Sequence, residues 1–142
     1  MKVAKTICCV LCEDIREEKG DKLSYLGVYG ITNAGVVLDR LPSMLPKLCL
    51  AVMLSEVQCE LNKCNITVIS SGLKKISLDL PQIPKYEIGK NLTLGVTIAP
   101  FKFQQEGKSK IELRFNDDKK ASLIFEFNVN LKTQTITVPT SG

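Results

Sequence analysis

Cysteine spacing is the first feature of this sequence that could support chemistry. The chain has six cysteines, and Cys9 and Cys12 have the short separation at which two thiolates bind one metal ion or form a redox pair. The run that contains them is apolar and predicts a strand, on which residues three apart face opposite sides. We therefore expect core packing here, and no metal site. A tight hairpin between Cys59 and Cys64 could bring that pair to disulfide distance, and the sequence leaves their pairing open.

An acidic cluster is the second such feature. Glu13, Asp14, Glu17 and Glu18 surround Arg16, and carboxylate oxygens are the ligands that divalent cations such as Ca²⁺ prefer. The pattern favours a solvated hairpin end whose acids pair with neighbouring cations, because charge clusters at strand ends usually lie on the surface. The planar guanidinium of Arg16 suits carboxylates and phosphates. Glu13, Asp14 and Arg16 are therefore candidate binding residues.

The absence of histidine limits catalysis. The chain has no histidine and no tryptophan, which excludes Ser-His-Asp and Cys-His mechanisms and imidazole metal sites. An enzyme that used Glu13 and Asp14 as a carboxylate pair is the least favoured hypothesis, because adjacent strand residues point to opposite faces. We predict a protein that is not an enzyme, with no catalytic residue and no cofactor.

Two tyrosines could form a binding surface. Tyr25 and Tyr29 are four apart in a predicted strand, so they share a face and form either a small aromatic platform or part of the core. The glycines around Tyr29 do not match a phosphate-binding loop, since neither the spacing nor a following helix is present. They indicate a bulge or a close approach of two backbones.

A basic loop over residues 101–110 is the most interesting candidate surface. It begins with Phe101, Lys102 and Phe103, and exposed aromatic side chains with polar neighbours are typical of interaction loops. Other aromatic side chains are sparse among the lysines of this half of the chain, which argues against a nucleic-acid partner. We expect the two phenylalanines to be exposed at one end of the domain.

Alternation of apolar and polar residues predicts the elements that carry these side chains. Two hairpins are expected, one over residues 6–15 and 22–31 and one over residues 110–115 and 121–130, each around a polar turn. Residues 48–57 are nearly all apolar, as in a central strand. Further strands are predicted at 64–68, 73–80 and 92–98. No helical stripe occurs, so we expect at most a short helical turn near residues 41–47.

Many short strands without helices predict an all-β fold, an antiparallel two-sheet sandwich with an immunoglobulin-like Greek key and about eight or nine strands. The 142 residues suit one domain over residues 1–142. Its last part, residues 131–142, is interpreted as an edge strand or a frayed tail.

Composition and the N-terminal run bear on location. The chain is 44% hydrophobic and 24% charged with a net charge of +4, which is typical of a globular protein. Its apolar run at residues 7–12 is shorter than the roughly seven to fifteen residues of a signal peptide core. No run approaches the ~18 apolar residues of a membrane helix. We therefore predict a cytoplasmic protein with no membrane partner.

Three stretches of the chain resemble a known family. They read LCEDIREE at residues 11–18, KLSYLGVYG at 22–30 and LPSMLPKL at 41–48. They are similar to a family of small bacterial proteins grouped as a domain of unknown function, which often carries a second glycine where Asp21 stands here. The resemblance implies a small β-sandwich and no particular activity.

Two functional hypotheses follow. The first is a binding or scaffold module that engages a protein partner, or another copy of itself, through a loop end or an edge strand. The alternative is a small-ligand binder that captures a nucleotide or other phosphorylated metabolite with lysines and Arg16.

Overall fold

All regular secondary structure is β-strand in the part of the chain that the computed structural model describes, residues 2–20, 22–31, 34–132 and 136–140. This confirms the all-β prediction and follows from the two-residue apolar period. At most a short helical turn was expected near residues 41–47, and Ser43–Leu45 forms a short strand there. Among the described residues, no helix is long and apolar enough to cross a bilayer.

The described residues form eleven strands, more than the eight or nine expected. The additional ones include three short strands, β3, β4 and β9. The strands are β1 (Ala4–Glu18), β2 (Lys22–Gly30), β3 (Ala34–Leu38), β4 (Ser43–Leu45), β5 (Leu48–Val57), β6 (Cys64–Ile69), β7 (Ile76–Asp79), β8 (Leu92–Ile98), β9 (Phe101–Phe103), β10 (Gly107–Phe115) and β11 (Leu123–Leu131).

A four-stranded sheet has the order β2-β1-β5-β8, and every neighbouring pair is antiparallel. The predicted β1–β2 hairpin is present, and β5 is central as its apolar run indicated. Val10 and Cys12 of β1 pack with Cys49 and Ala51 of β5 in a small buried cluster, apart from the main core. Both faces of this sheet are therefore apolar near its centre.

A five-stranded sheet has the order β3-β11-β10-β6-β7, and it contains the predicted β10–β11 hairpin. The expectation of a purely antiparallel fold is wrong at one pair, because β3 runs parallel to β11. β3 follows β2 in the chain but lies in this second sheet, next to β11. A third sheet contains only β4 and β9 among the described residues.

One large core joins the two larger sheets. Leu11 and Leu50 of the first sheet belong to the same buried cluster as Ile111 and Phe127 of the second. Burial of so many aliphatic and aromatic side chains supplies most of the favourable free energy of folding.

The C-terminal residues form no additional strand where they are described. Residues 136–140 are exposed and have no strand assignment. The rest of the predicted edge strand includes residues 133–135, which lie outside the described residues.

Candidate functional site

Within the predicted acidic cluster of the β1–β2 hairpin, Asp14 forms ion pairs with Lys47 and Arg16. Asp14 Oδ1 lies 2.6 Å from Lys47 Nζ, and Asp14 Oδ2 lies 3.6 Å from Arg16 Nε. The hydrogen bond from Lys47 is the main reason that the pKa of Asp14 lies below its usual value. The Arg16 side chain is 64% exposed, and the anion beside its guanidinium is the carboxylate of Asp14.

Glu13 has different partners from Asp14. Its carboxylate lies so close to Gly27 that a Cβ on that glycine would come within 2.6 Å of Glu13 Cδ. It also accepts a hydrogen bond from Tyr29. Burial, helped by Glu13, raises the pKa of Tyr29 to about 12. The two neighbouring carboxylates therefore act separately, and their contacts do not form a joint acid–base pair.

The tyrosines do not form a common platform, so that alternative is wrong. Tyr25 packs against the small cluster and directs its hydroxyl towards Met53 Sδ, 3.9 Å away. Tyr29 packs against the main core. The register of β1 against β2 shifts between Leu11 and Cys12, and a bulge of this kind changes which face a following side chain occupies.

The predicted exposure of Phe101 and Phe103 is also wrong. They are 1% and 0% exposed, with ring centroids 4.8 Å apart, and Phe103 meets Phe127 edge-on at 6.3 Å. Only Lys102, between them, is exposed. The segment is strand β9 rather than a loop, and the Phe-Lys-Phe alternation was the sequence signal for it.

Most of the cysteines are buried, and Cys8 is exposed. Cys9 belongs to the main core and Cys12 to the small cluster, so the expected opposite orientation is confirmed. Burial raises the pKa of Cys9 to about 12 and that of Cys12 to about 11, which keeps both as thiols at neutral pH. Cys59 and Cys64 are free. No three metal-binding side chains among the described residues are grouped to hold an ion.

A groove between the edges of the two larger sheets is the best candidate site, and we call it the edge groove. It has a volume of about 460 Å³. Its walls come from β1, Ile31, the start of β3, β10 and β11. The lining residues are Ile7, Cys8, Cys9, Ile31, Ala34, Lys108, Leu123, Ile124, Phe125, Glu126, Phe127 and Asn128.

One wall is a part of β1 that pairs with a described strand on one side only. β2 pairs with β1 only from Leu11 to Glu18, so β1 residues 4–10 have β5 on one side and no described strand on the other. The pairing of β2 with β1 ends at Gly30, which approaches Ala34 so closely that a Cβ would lie 2.6 Å from Ala34 Cα. We call residues 4–10 the open segment of β1.

The other wall is a part of β11 that likewise pairs with a described strand on one side only. β3 pairs with β11 only from Phe127 onward, whereas residues 123–126 pair with β10 alone among the described strands. Residues 123–126 are the open segment of β11. Ile31 and Ile124, both more than half exposed, add apolar surface beside it.

The two open segments suit the binding of an extended peptide. An edge strand presents unpaired backbone N–H and C=O groups that pair readily with an added strand. Apolar side chains beside such an edge can receive alternate side chains of that strand. The sequence predicted the strands but not this site, because alternation reports the face of a residue and not whether a strand has a neighbour.

A second cleft lies between residues 60–61 and 83–88. Its backbone is partly satisfied already, since the N–H of Leu61 donates to the Tyr86 hydroxyl at 2.5 Å. It therefore offers less for a partner than the edge groove does.

No protein-family model matches the chain, and no curated protein matches it either.

Proposed function

We propose that this protein is a non-catalytic binding module whose edge groove takes up an extended polypeptide segment by β-strand addition. The observation that carries the proposal is the meeting of two open strand segments, on β1 and β11, at one groove. Paired backbone groups would supply affinity, and the apolar lining would select alternate side chains.

The size of the opening supports a short strand as the ligand. The open segment of β1 has seven residues, which at about 3.3 Å per residue gives roughly 23 Å of edge. A peptide of about six to eight residues would match that length. Lys108 and Glu126 both line the groove, so neither charge sign dominates the site.

The open edge carries little protection against such pairing. Lysines on an edge strand discourage association, and the open segment of β1 has one, Lys5, which pairs with Glu56 at 3.7 Å. Ile7, Cys8 and Cys9 follow it without a charge. This composition favours a strand that has a partner in the working state of the protein.

We further infer that the two larger sheets form a sandwich in a single domain. The shared core supports this, since it contains buried side chains from both sheets. An immunoglobulin-like Greek key stays a prediction. The cytoplasmic location and the binding of a phosphorylated ligand also stay predictions. Arg16 is less available for such a ligand because it contacts Asp14.

A peptide-display experiment tests the proposed function. The probe is a library of nine-residue peptides in which apolar residues alternate with threonine, serine and lysine, selected on the full chain. Enriched peptides are then measured by fluorescence anisotropy on the wild type and on Ile124→Lys and Cys8→Arg, which alter the two walls. We expect both changes to weaken binding more than about tenfold, because each places a charge beside an apolar contact.

Val37→Lys is the matched control, since Val37 is also an exposed strand residue but lies outside the edge groove. It should bind the peptides as the wild type does. Failure to enrich any alternating peptide, or equal binding by the wild type and both groove variants, would overturn the proposal.

A further inference from the structure

We propose that the segment bound in the edge groove is the C-terminal segment, residues 132–140, of a second copy of this chain. The inference rests on the proposed function and names the ligand of the same groove. Donation of a strand between identical chains needs no other partner and is a known route to self-association.

The sequence of the C-terminal segment has the pattern of a strand. Thr133, Thr135 and Thr137 alternate with Gln134, Ile136 and Val138, and threonine, isoleucine and valine are residues that strands favour. Ile136 is 82% exposed and Val138 is 75% exposed. Pro139 follows and has no N–H to donate, so strand pairing would end there.

Its charge suits the groove. Residues 133–140 contain no charged side chain, so they can enter between the sheet edges without burying an unpaired charge. On a strand, Ile136 and Val138 would share the face that meets the apolar lining of the groove, Ile124 included, and Thr137 would face outward.

In its own chain, the segment would have to turn back after β11 to reach the groove. β11 ends at Leu131, and Ile136, five residues later, can lie at most about 18 Å from it. Ile124 is seven residues before Leu131 on β11, which is about 23 Å away. β3 also occupies the intervening edge, up to a hydrogen bond from Lys132 N to Leu38 O. The groove of a second molecule carries neither restriction.

Sedimentation velocity of the full chain over a range of concentrations is the first test. We expect concentration-dependent association that Ile136→Lys with Val138→Lys weakens more than about tenfold, because two apolar contacts are replaced by charges. Thr137→Lys is the matched control, as it adds the same charge between them on the outward face. It should associate like the wild type.

Mixing variants gives the sharper test. Ile124→Lys keeps an intact C-terminal segment but has an altered groove, whereas the double lysine variant has the reverse. Each alone should stay monomeric, and an equimolar mixture should form a heterodimer through one intact contact. Association by two symmetric β1 edges would give no such recovery, since that interface does not involve Ile136 or Val138.

The inference is overturned if the wild type stays monomeric, if the double lysine variant associates like the wild type, or if the mixture shows no heterodimer. Its failure is distinguishable from that of the proposed function. A monomeric chain whose edge groove still binds library peptides would reject the second copy as ligand and keep strand addition. A chain that neither associates nor binds peptides would reject both.

Discussion

The sequence suggests a binding surface at strand β9 and a core strand at residues 4–10 of β1, whereas the structure places buried side chains at β9 and an open strand edge at β1. Phe101-Lys102-Phe103 looks like an exposed interaction loop, yet its phenylalanines are buried against each other and against Phe127. Residues 4–10 look like part of an ordinary core strand, yet one side of that backbone has no described strand beside it. The binding surface lies where a strand lacks a neighbour and not where aromatic residues adjoin lysines.

The difference shows that burial of a side chain and hydrogen bonding of its backbone are determined separately. Cys9 is buried in the core although it lies in the open segment of β1 and lines the edge groove. Burial of its side chain depends on the sheet face, whereas pairing of its backbone depends on which strand lies next to it. A strand can therefore contribute to the core and to a binding site at once.

The largest expected effect breaks the comparison at β9. Phe103→Ala should lower the free energy of unfolding by about 3 to 5 kcal/mol, because it removes a fully buried ring and leaves a cavity beside Phe101 and Phe127. Lys102→Ala, at the exposed position next to it, should change stability by less than about 0.5 kcal/mol. Urea unfolding followed by circular dichroism measures both. A Phe103→Ala protein of normal stability that loses peptide binding would restore the interaction-loop hypothesis.

A smaller loss of stability is expected at Gly30, where β2 stops pairing with β1 and the open segment of β1 begins. Gly30 has a φ of 154° and touches the backbone of Ala34. Gly30→Ala should destabilise the protein by about 2 kcal/mol, since it adds steric overlap to an unfavourable backbone conformation. Gly35→Ala meets no atom within 4 Å and should leave stability unchanged or raise it by up to about 1 kcal/mol. Thermal unfolding compares the two, and equal stability would show that the close approach is not required.

The smallest expected effect concerns the ion pairs of Glu112 on β10, a strand of the second sheet that is paired on both sides. Glu112 of β10 is 11% exposed and bonds to Arg114 at 2.5 Å and Lys110 at 3.3 Å. The hydrogen bond from Arg114 is the main reason that its pKa lies below the ordinary value of 4.5. Glu112→Gln should therefore cost about 1 kcal/mol near neutral pH.

The pH dependence of that cost has a definite sign. A carboxyl whose pKa is lowered in the folded state stabilises the protein above its unfolded pKa, and it loses that contribution as the pH falls through the folded value. The stability difference between the wild type and Glu112→Gln should be constant above pH 4.5 and shrink below it. Urea titrations at several pH values measure this, and a difference that grows in acid would contradict the assignment.

Local patterns predicted the hairpins well. The β10–β11 pair and the β1–β2 pair each combine strong alternation with a polar turn, and both are present in the expected places. Strand β3 was missed, since its five residues, Ala34–Leu38, show no alternation and its partner is β11, far along the chain. Short strands held by distant partners leave little trace in their own residues.

The sequence by itself determined the all-β class, the main hairpins and the core role of Cys9 and Cys12, because each follows from the two-residue period of a strand. Only the tertiary structure decided that Phe101 and Phe103 are buried and that β1 and β11 have open segments at one groove. Those features depend on which strands become neighbours, and neighbours are chosen by packing across the whole chain rather than by the residues of one strand.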